Sequence, residues 1–199
     1  MFVLNAASFY HCKTMPKKLI ALGDSLTYGY PFGNKYSWVE LVSQKLGTPI
    51  ENSGINGNTL RDMYQRLLFD VIDVKPDYVL LMGGANDVYQ GYKAENLEQN
   101  FLKITQALED HKIAPIVLLP PPVEEKSLEA ILDEFRNFLK KTAKKRKWSL
   151  IDLYQPFLDP KKKTKRIQAG LLEDGVHPSA NGYRLMADTV YPALNKLLK

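Results

Sequence analysis

Four short segments hold the residue types that acyl transfer requires. Gly23-Asp24-Ser25-Leu26-Thr27 offers a hydroxyl. Asn52-Ser53-Gly54-Ile55-Asn56-Gly57 offers glycines where backbone can approach a ligand. Gly83-Gly84-Ala85-Asn86-Asp87 offers a neutral amide, and Asp174-Gly175-Val176-His177-Pro178 sets a carboxylate three residues before an imidazole. Hydrolysis of an ester through a covalent intermediate needs a nucleophile, a base, a group that orients the base, and donors for the oxyanion. Ser25 can supply the nucleophile and His177 the base, which first takes the serine proton and then returns it to the leaving group. Asp174 can fix the imidazole tautomer and stabilise its charged form. The N–H groups of Ser25 and Gly54 and the side-chain amide of Asn86 are the candidate oxyanion donors. Singly, each residue reads as a turn or cap residue, as Ser, Asp, Asn and Gly commonly are. Their joint occurrence points to a hydrolase.

These segments must be brought together by the elements that carry them. Short apolar runs at 18–22, 49–52, 78–82, 116–119 and 148–152 read as strands. Helical periods of three and four recur at 38–46, 59–72, 97–111 and from Ser127 onward, and Ser179 caps a last helix. Residues 154–176 read as loop. Strands alternating with helices argue for one α/β domain with a central parallel sheet of about five strands. In such sheets ligands bind at the carboxyl ends of the strands, and the first three segments each directly follow a strand.

Taken together, the four blocks resemble the GDSL esterase/lipase family, and within it the SGNH hydrolases. The matching residues are Ser25 in GDSLT, Gly54 in NSGINGNT, Asn86 in GGAND, and Asp174 and His177 in DGVHPSANGY. The resemblance implies a flavodoxin-like three-layer α/β/α sandwich, the SGNH hydrolase fold. It also implies cofactor- and metal-independent hydrolysis of acyl esters or thioesters, of the carboxylesterase, lysophospholipase or thioesterase kind. Carbohydrate O-acetyl esterase activity is the alternative, because the shared residues act on the acyl carbonyl and not on the alcohol. Ser25 does not sit in a G-x-S-x-G elbow, which separates the chain from the α/β-hydrolases.

Substrate selection falls to the loops near the nucleophile. Tyr28, Tyr30, Phe32, Tyr36 and Trp38 follow Ser25, and Tyr89 and Tyr92 follow Asn86. Of these, Tyr28, Tyr30, Phe32 and Tyr89 are the candidates to touch substrate, together with Asp24, although a carboxylate fixing the turn that aims Ser25 is the favoured role for Asp24. With no long insertion to act as a lid, an open site for short or soluble esters is expected.

Composition sets the remaining bounds. At 199 residues with 45% hydrophobic and 25% charged side chains, the chain can bury one core without staples. A lone cysteine, Cys12, demands no oxidising compartment. No apolar run is long enough to span a membrane, and the first fourteen residues lack a signal-peptide pattern. The expectation is a cytoplasmic protein with a peripheral extension over 1–14 and a single domain over 15–199. The net charge of +5 gathers at Lys140-Lys141 with Lys144-Lys145-Arg146-Lys147, and at Lys161-Lys162-Lys163 with Lys165-Arg166. No nucleic-acid motif accompanies it. A small-molecule ester is the expected partner, and a non-catalytic module binding an anionic partner is the competing reading. No His, Cys and carboxylate spacing suggests a metal.

Overall fold

The apolar runs of the sequence form adjacent strands of a single sheet in the computed structural model, which describes residues 17–162 and 166–199. The proposed extension over 1–14, His11, Cys12, Lys163 and Lys165 lie outside the described residues. The strands are β1 (Leu19–Gly23), β2 (Ile50–Gly54), β3 (Tyr78–Leu81), β4 (Ala114–Leu119) and β5 (Ser149–Asp152), all parallel, in the order β2-β1-β3-β4-β5. This is the flavodoxin-like order. The chain moves from β1 to β2 on one side and then crosses to β3 on the other, so a crevice opens beyond the carboxyl end of β1.

Seven helices among the described residues cover the sheet: α1 (Ser25–Tyr28), α2 (Trp38–Leu46), α3 (Leu60–Leu67), α4 (Ala85–Tyr89), α5 (Ala94–Asp110), α6 (Lys126–Arg146) and α7 (Ala180–Leu197). Alternate strand residues point to opposite faces, and both faces are apolar. Ile20, Leu22, Val79, Leu81, Val117 and Leu119 pack against α3, α5 and α6 through Met63, Phe101, Ile104, Leu132 and Phe135. Leu19, Ala21, Leu80, Ile116 and Leu118 pack against α2 and α7 through Trp38, Val42, Met186 and Val190. The result is the three-layer sandwich implied by the sequence. Each fully buried aliphatic or aromatic side chain contributes about 1.5–3 kcal/mol, so a charge at Val79 or Leu22 would break the core on that face. No helix among the described residues is long and apolar enough to cross a membrane.

The differences from the sequence reading fall where the site is built. The 49–52 run continues to Gly54, because Ser53 and Gly54 pair in register with Leu22 and Gly23. The helical pattern over 59–72 changes at Leu68 into a π turn, Leu68–Ile72. The short helices α1 and α4 follow β1 and β3 with almost no connection, and four or five residues are too few to show a helical period. The basic run at 140–147 lies on the last turns of α6, where cations complement the helix carbonyl end. Lys140 meets Asp152 at 3.5 Å and Arg146 meets Glu109 at 3.1 Å.

Candidate active site

Ser25 is aimed by the turn that joins β1 to α1. The Asp24 carboxylate accepts the Leu26 N–H at 2.9 Å and caps the helix, while the Asp24 carbonyl accepts Thr27 and Tyr28 N–H groups. The chain therefore reverses within one residue of the strand, and Ser25 becomes the first residue of α1. Its own N–H belongs to that first turn and has no protein acceptor among the described residues. Asp24 is fully buried. Burial pushes its carboxyl up to about 7, against the pull of the Leu26 N–H and with a push from Asp87. A buried cap does not face substrate, so Asp24 leaves the set of substrate-contacting candidates and keeps the turn-fixing role.

His177 is delivered from the loop before α7. Glu173 N–H donates to the His177 carbonyl at 2.8 Å, Ser179 N–H to the Leu171 carbonyl at 2.9 Å, and Glu124 N–H to the Gly175 carbonyl at 2.8 Å. Within the loop, Asp174 Oδ1 accepts the N–H groups of Val176 and His177 at 3.1 and 2.8 Å. Its other oxygen lies 2.8 Å from His177 Nδ1, and His177 Nε2 lies 3.1 Å from Ser25 Oγ. A neutral imidazole protonated at Nδ1 donates to Asp174 and leaves Nε2 free to accept the serine hydroxyl. Burial opposes the Asp174 charge, but the His177 and Val176 N–H groups and the imidazole outweigh it and hold the carboxyl below its ordinary value. Asp174 thus stays ionised as an acceptor for Nδ1–H.

The candidate oxyanion donors need one correction. Gly54 N–H donates to Asn52 Oδ1 at 2.9 Å and is not free. Gly54 is required for another reason: a Cβ there would lie 2.3 Å from the Tyr28 nitrogen, so the residue lets α1 seat against the end of β2. Three residues on, Gly57 is exposed, with φ +80° and open space around it, and its N–H has no protein acceptor among the described residues. Its neighbour Asn58 accepts an amide hydrogen of Asn86 through its backbone carbonyl at 3.0 Å. That contact turns the Asn86 side chain toward the loop and leaves its second amide hydrogen available. Asp87, beside Asn86, is fully buried and caps α3 by accepting the Leu60 N–H.

The aromatic candidates separate into distinct places. Tyr30 meets His177 at a tilt, the ring centroids 4.5 Å apart at 56°, and its carbonyl accepts the Tyr183 hydroxyl at 2.8 Å. Tyr28 is partly exposed on α1 beside Ser25. Tyr89 is half exposed and feels the charges of Asp174 and Glu125; burial first, then those carboxylates, raises its phenol. Phe32 and Tyr36 instead line a small cavity of about 230 Å³ with Leu41, Ala180 and Arg184. Trp38 is buried in the core and Tyr92 packs against the opposite core face, so neither forms a wall of the site. A cavity of about 700 Å³ lies between the segment at Glu124 and the His177 loop at Leu172, but none of Ser25, Asn86 and His177 lines it.

Sequence reasoning passed over Gly57, Asp87, Tyr183 and Arg66. Gly57 lies between Asn56 and Asn58, and that flanking is the available turn signal. Arg66, on an amphipathic helix, carried none. It reads as a solvated charge, yet its side chain is 14% exposed.

The GDSL-like lipase/acylhydrolase family model matches residues 21–185. The chain is 27% identical to an acetylxylan esterase of Geobacillus stearothermophilus, over 86% of this chain and 90% of the relative. It is also 27% identical to an arylesterase of Vibrio mimicus, over 99% and 95%. Among solved structures, a protein of the lipolytic G-D-S-L family from Desulfitobacterium hafniense DCB-2 superposes with a TM-score of 0.81 at 28% identity, covering 88% of this chain and 98% of that one.

Proposed function

The chain belongs to the GDSL-like lipase/acylhydrolase family and is an ester hydrolase; from that premise we propose that it cleaves small acyl esters through an acyl-enzyme on Ser25. The observation that carries this reading is the unbroken line from Ser25 Oγ through His177 to Asp174, with contacts of 3.1 and 2.8 Å. Ser25 Oγ attacks the acyl carbon as its proton passes to His177 Nε2. The tetrahedral oxyanion is held by the Ser25 N–H, the Asn86 amide and, in place of the Gly54 amide, the Gly57 N–H. His177 then protonates the departing alcohol, or thiol in a thioester. A water molecule attacks the acyl-serine by the same path, its proton going to His177 and back to Ser25, and the free acid leaves. Asp174 holds the imidazole throughout and stabilises its charged form.

Small esters fit the open surroundings: Tyr28, Tyr30 and Tyr89 are all exposed by more than a third. Sugar O-acetyl groups are a specific second reading, favoured by the acetylxylan esterase among the relatives. The deciding experiment is hydrolysis of p-nitrophenyl esters from acetate to octanoate, and of acetylated xylan, by wild type and Ser25→Ala. Turnover confined to wild type is expected, with the shortest acyl chains preferred. Equal rates in both proteins would sink the nucleophile assignment.

A further inference from the structure

Resting on that reading, we propose that Arg66 is a positioning residue that holds the nucleophile turn and the oxyanion loop in one frame. Arg66 lies on α3, and its guanidinium has five N–H donors in a fixed planar fork. Every one of them is used. Nε–H donates to Asn58 Oδ1 at 2.7 Å. Nη1 donates to Ser53 Oγ at 2.7 Å and to the carboxylate of Asp70 one turn along. Nη2 donates to the Gly23 carbonyl at 2.8 Å and to the Ser53 carbonyl at 2.9 Å. No donor remains for a substrate, so the group does not act by direct contact.

The identity of the acceptors gives the role. Gly23 is the last residue of β1 and is followed by the Asp24-Ser25 turn. Ser53 is the penultimate residue of β2, where the Gly54–Gly57 stretch begins. Asn58 closes that stretch, and its carbonyl holds the Asn86 amide. The Gly23 carbonyl also accepts the Ile55 N–H at 3.2 Å, so the same strand end is tied to the loop both through the backbone and through Arg66, whose Nε fixes the far side of that loop at Asn58. The α3 end that carries this loop is itself capped by Asp87 and by the Thr59–Asp62 capping box. Arg66 therefore ties the end of β1, which leads to Ser25, to the stretch that carries Gly57, and reaches Asn86 only through Asn58, without touching the reacting atoms. A lysine has no fork to span these acceptors.

The test compares wild type, Arg66→Lys, Asn86→Ala and the double variant. Arg66→Lys is expected to lower kcat by roughly 10- to 100-fold, the scale on which a misplaced oxyanion donor acts, with KM changed by less than threefold and the pH profile of kcat/KM unmoved. In the Asn86→Ala background the same substitution is expected to lower kcat by a smaller factor than in wild type, because one of the donors held through the Arg66 frame is already gone. A full, additive loss there would assign Arg66 to general stability and overturn the proposal, as would an Arg66→Lys protein with wild-type kcat. Amide hydrogen exchange over 53–59 gives a readout independent of turnover. It should speed up in Arg66→Lys, and in Asn58→Ala, which removes the Nε acceptor while leaving the other four contacts. Unchanged exchange in both variants would also overturn the proposal. A wild-type protein that hydrolyses no ester would refute the hydrolase mechanism and not the frame, which the exchange data judge separately.

Discussion

Ser25 Oγ and His177 Nε2 lie 3.1 Å apart although 152 residues separate them in sequence. The distance is set by two unrelated structures: a helix cap that turns the chain at β1, and a loop pinned by Asp174, Glu124 and the 171–179 pairings. Such a contact orders a side chain of each partner and repeats nothing needed for the fold. Removing it should cost activity and little stability.

His177→Ala is expected to lower kcat by about 10⁴-fold or more, as loss of a general base does in a coupled triad. Asp174→Asn should lower it by roughly 10²- to 10³-fold, because the amide spoils the Nδ1–H acceptor while a half-exposed position lets water replace part of the interaction. Because the folded Asp174 carboxyl sits below its ordinary value, it stays charged until well into acid. Loss of rate in mild acid should therefore not arise from protonation of Asp174 itself. Stopped-flow acylation rates from pH 4 to 9 check both points, and a His177→Ala enzyme within tenfold of wild type would remove the base assignment.

Gly54 and Gly57 should respond differently to the same substitution. Gly54→Ala places a methyl 2.3 Å from the Tyr28 backbone nitrogen, a clash with backbone that α1 can relieve only by moving; a loss of roughly 2 kcal/mol or more is expected. Gly57→Ala meets open space but keeps a left-handed φ of +80°, which costs about 1–2 kcal/mol for a residue with a Cβ. Its kcat should fall severalfold at near-constant KM if the Gly57 N–H serves the oxyanion. Denaturation midpoints and steady-state kinetics on both variants separate packing from catalysis. A stable Gly54→Ala protein with lost activity would return the donor role to Gly54.

These glycines mark the limit of what the sequence shows. The strands, the order of the layers and the four blocks are legible because each rests on local signals: apolar runs, helical periods, and residue types with few alternative uses. Gly54 and Gly57 look alike in sequence; the Asn52 side chain folding back onto the Gly54 N–H, and α1 packed against Gly54, tell them apart. Trp38 and Tyr30 look alike as aromatics after the nucleophile. One enters the core because α2 packs its first turn on α7, and the other stays at the surface against His177. Arg66 was hidden because helical periodicity sorts apolar from polar and gives no sign that a polar side chain will reach across to strand ends. What escapes the sequence is contact between distant segments.

Asp24 makes a pH prediction whose sign follows from its raised carboxyl. The folded pKa of about 7 lies above the ordinary 3.8, so between these values the folded state holds more protons than the unfolded state. Stability from this group is intact below about pH 4 and is lost as pH rises through 4–7, by at most about 1.4 kcal/mol per pH unit. Asp24→Asn keeps an oxygen for the Leu26 N–H and removes the titration. It carries a pH-independent cost for a buried amide N–H, so wild type should lead in acid and lose ground as pH rises. Denaturant unfolding of both proteins at pH 4.5, 5.5, 6.5 and 7.5 measures the difference. Parallel curves would mean that Asp24 is charged in the fold at every pH tested.

Tyr30 presses its ring on His177 while its backbone carbonyl is held by the buried Tyr183 hydroxyl. The ring leans on the imidazole at 56° and limits the angles at which Nε2 can meet Ser25. An aromatic face also favours the positively charged imidazole that forms when the serine proton arrives, an effect worth about 0.5–1 kcal/mol at a partly exposed site. Tyr30→Phe keeps the ring and should retain kcat within twofold. Tyr30→Ala loses both effects and should lower kcat by roughly tenfold, since a freed imidazole spends less time in line with Oγ. Tyr183→Phe frees the Tyr30 carbonyl but leaves the ring packing of α7, so its effect should fall between the two. Steady-state kinetics on the three variants with one short ester decides the matter: equal rates for Tyr30→Phe and Tyr30→Ala would leave Tyr30 as a surface residue with no part in holding the base.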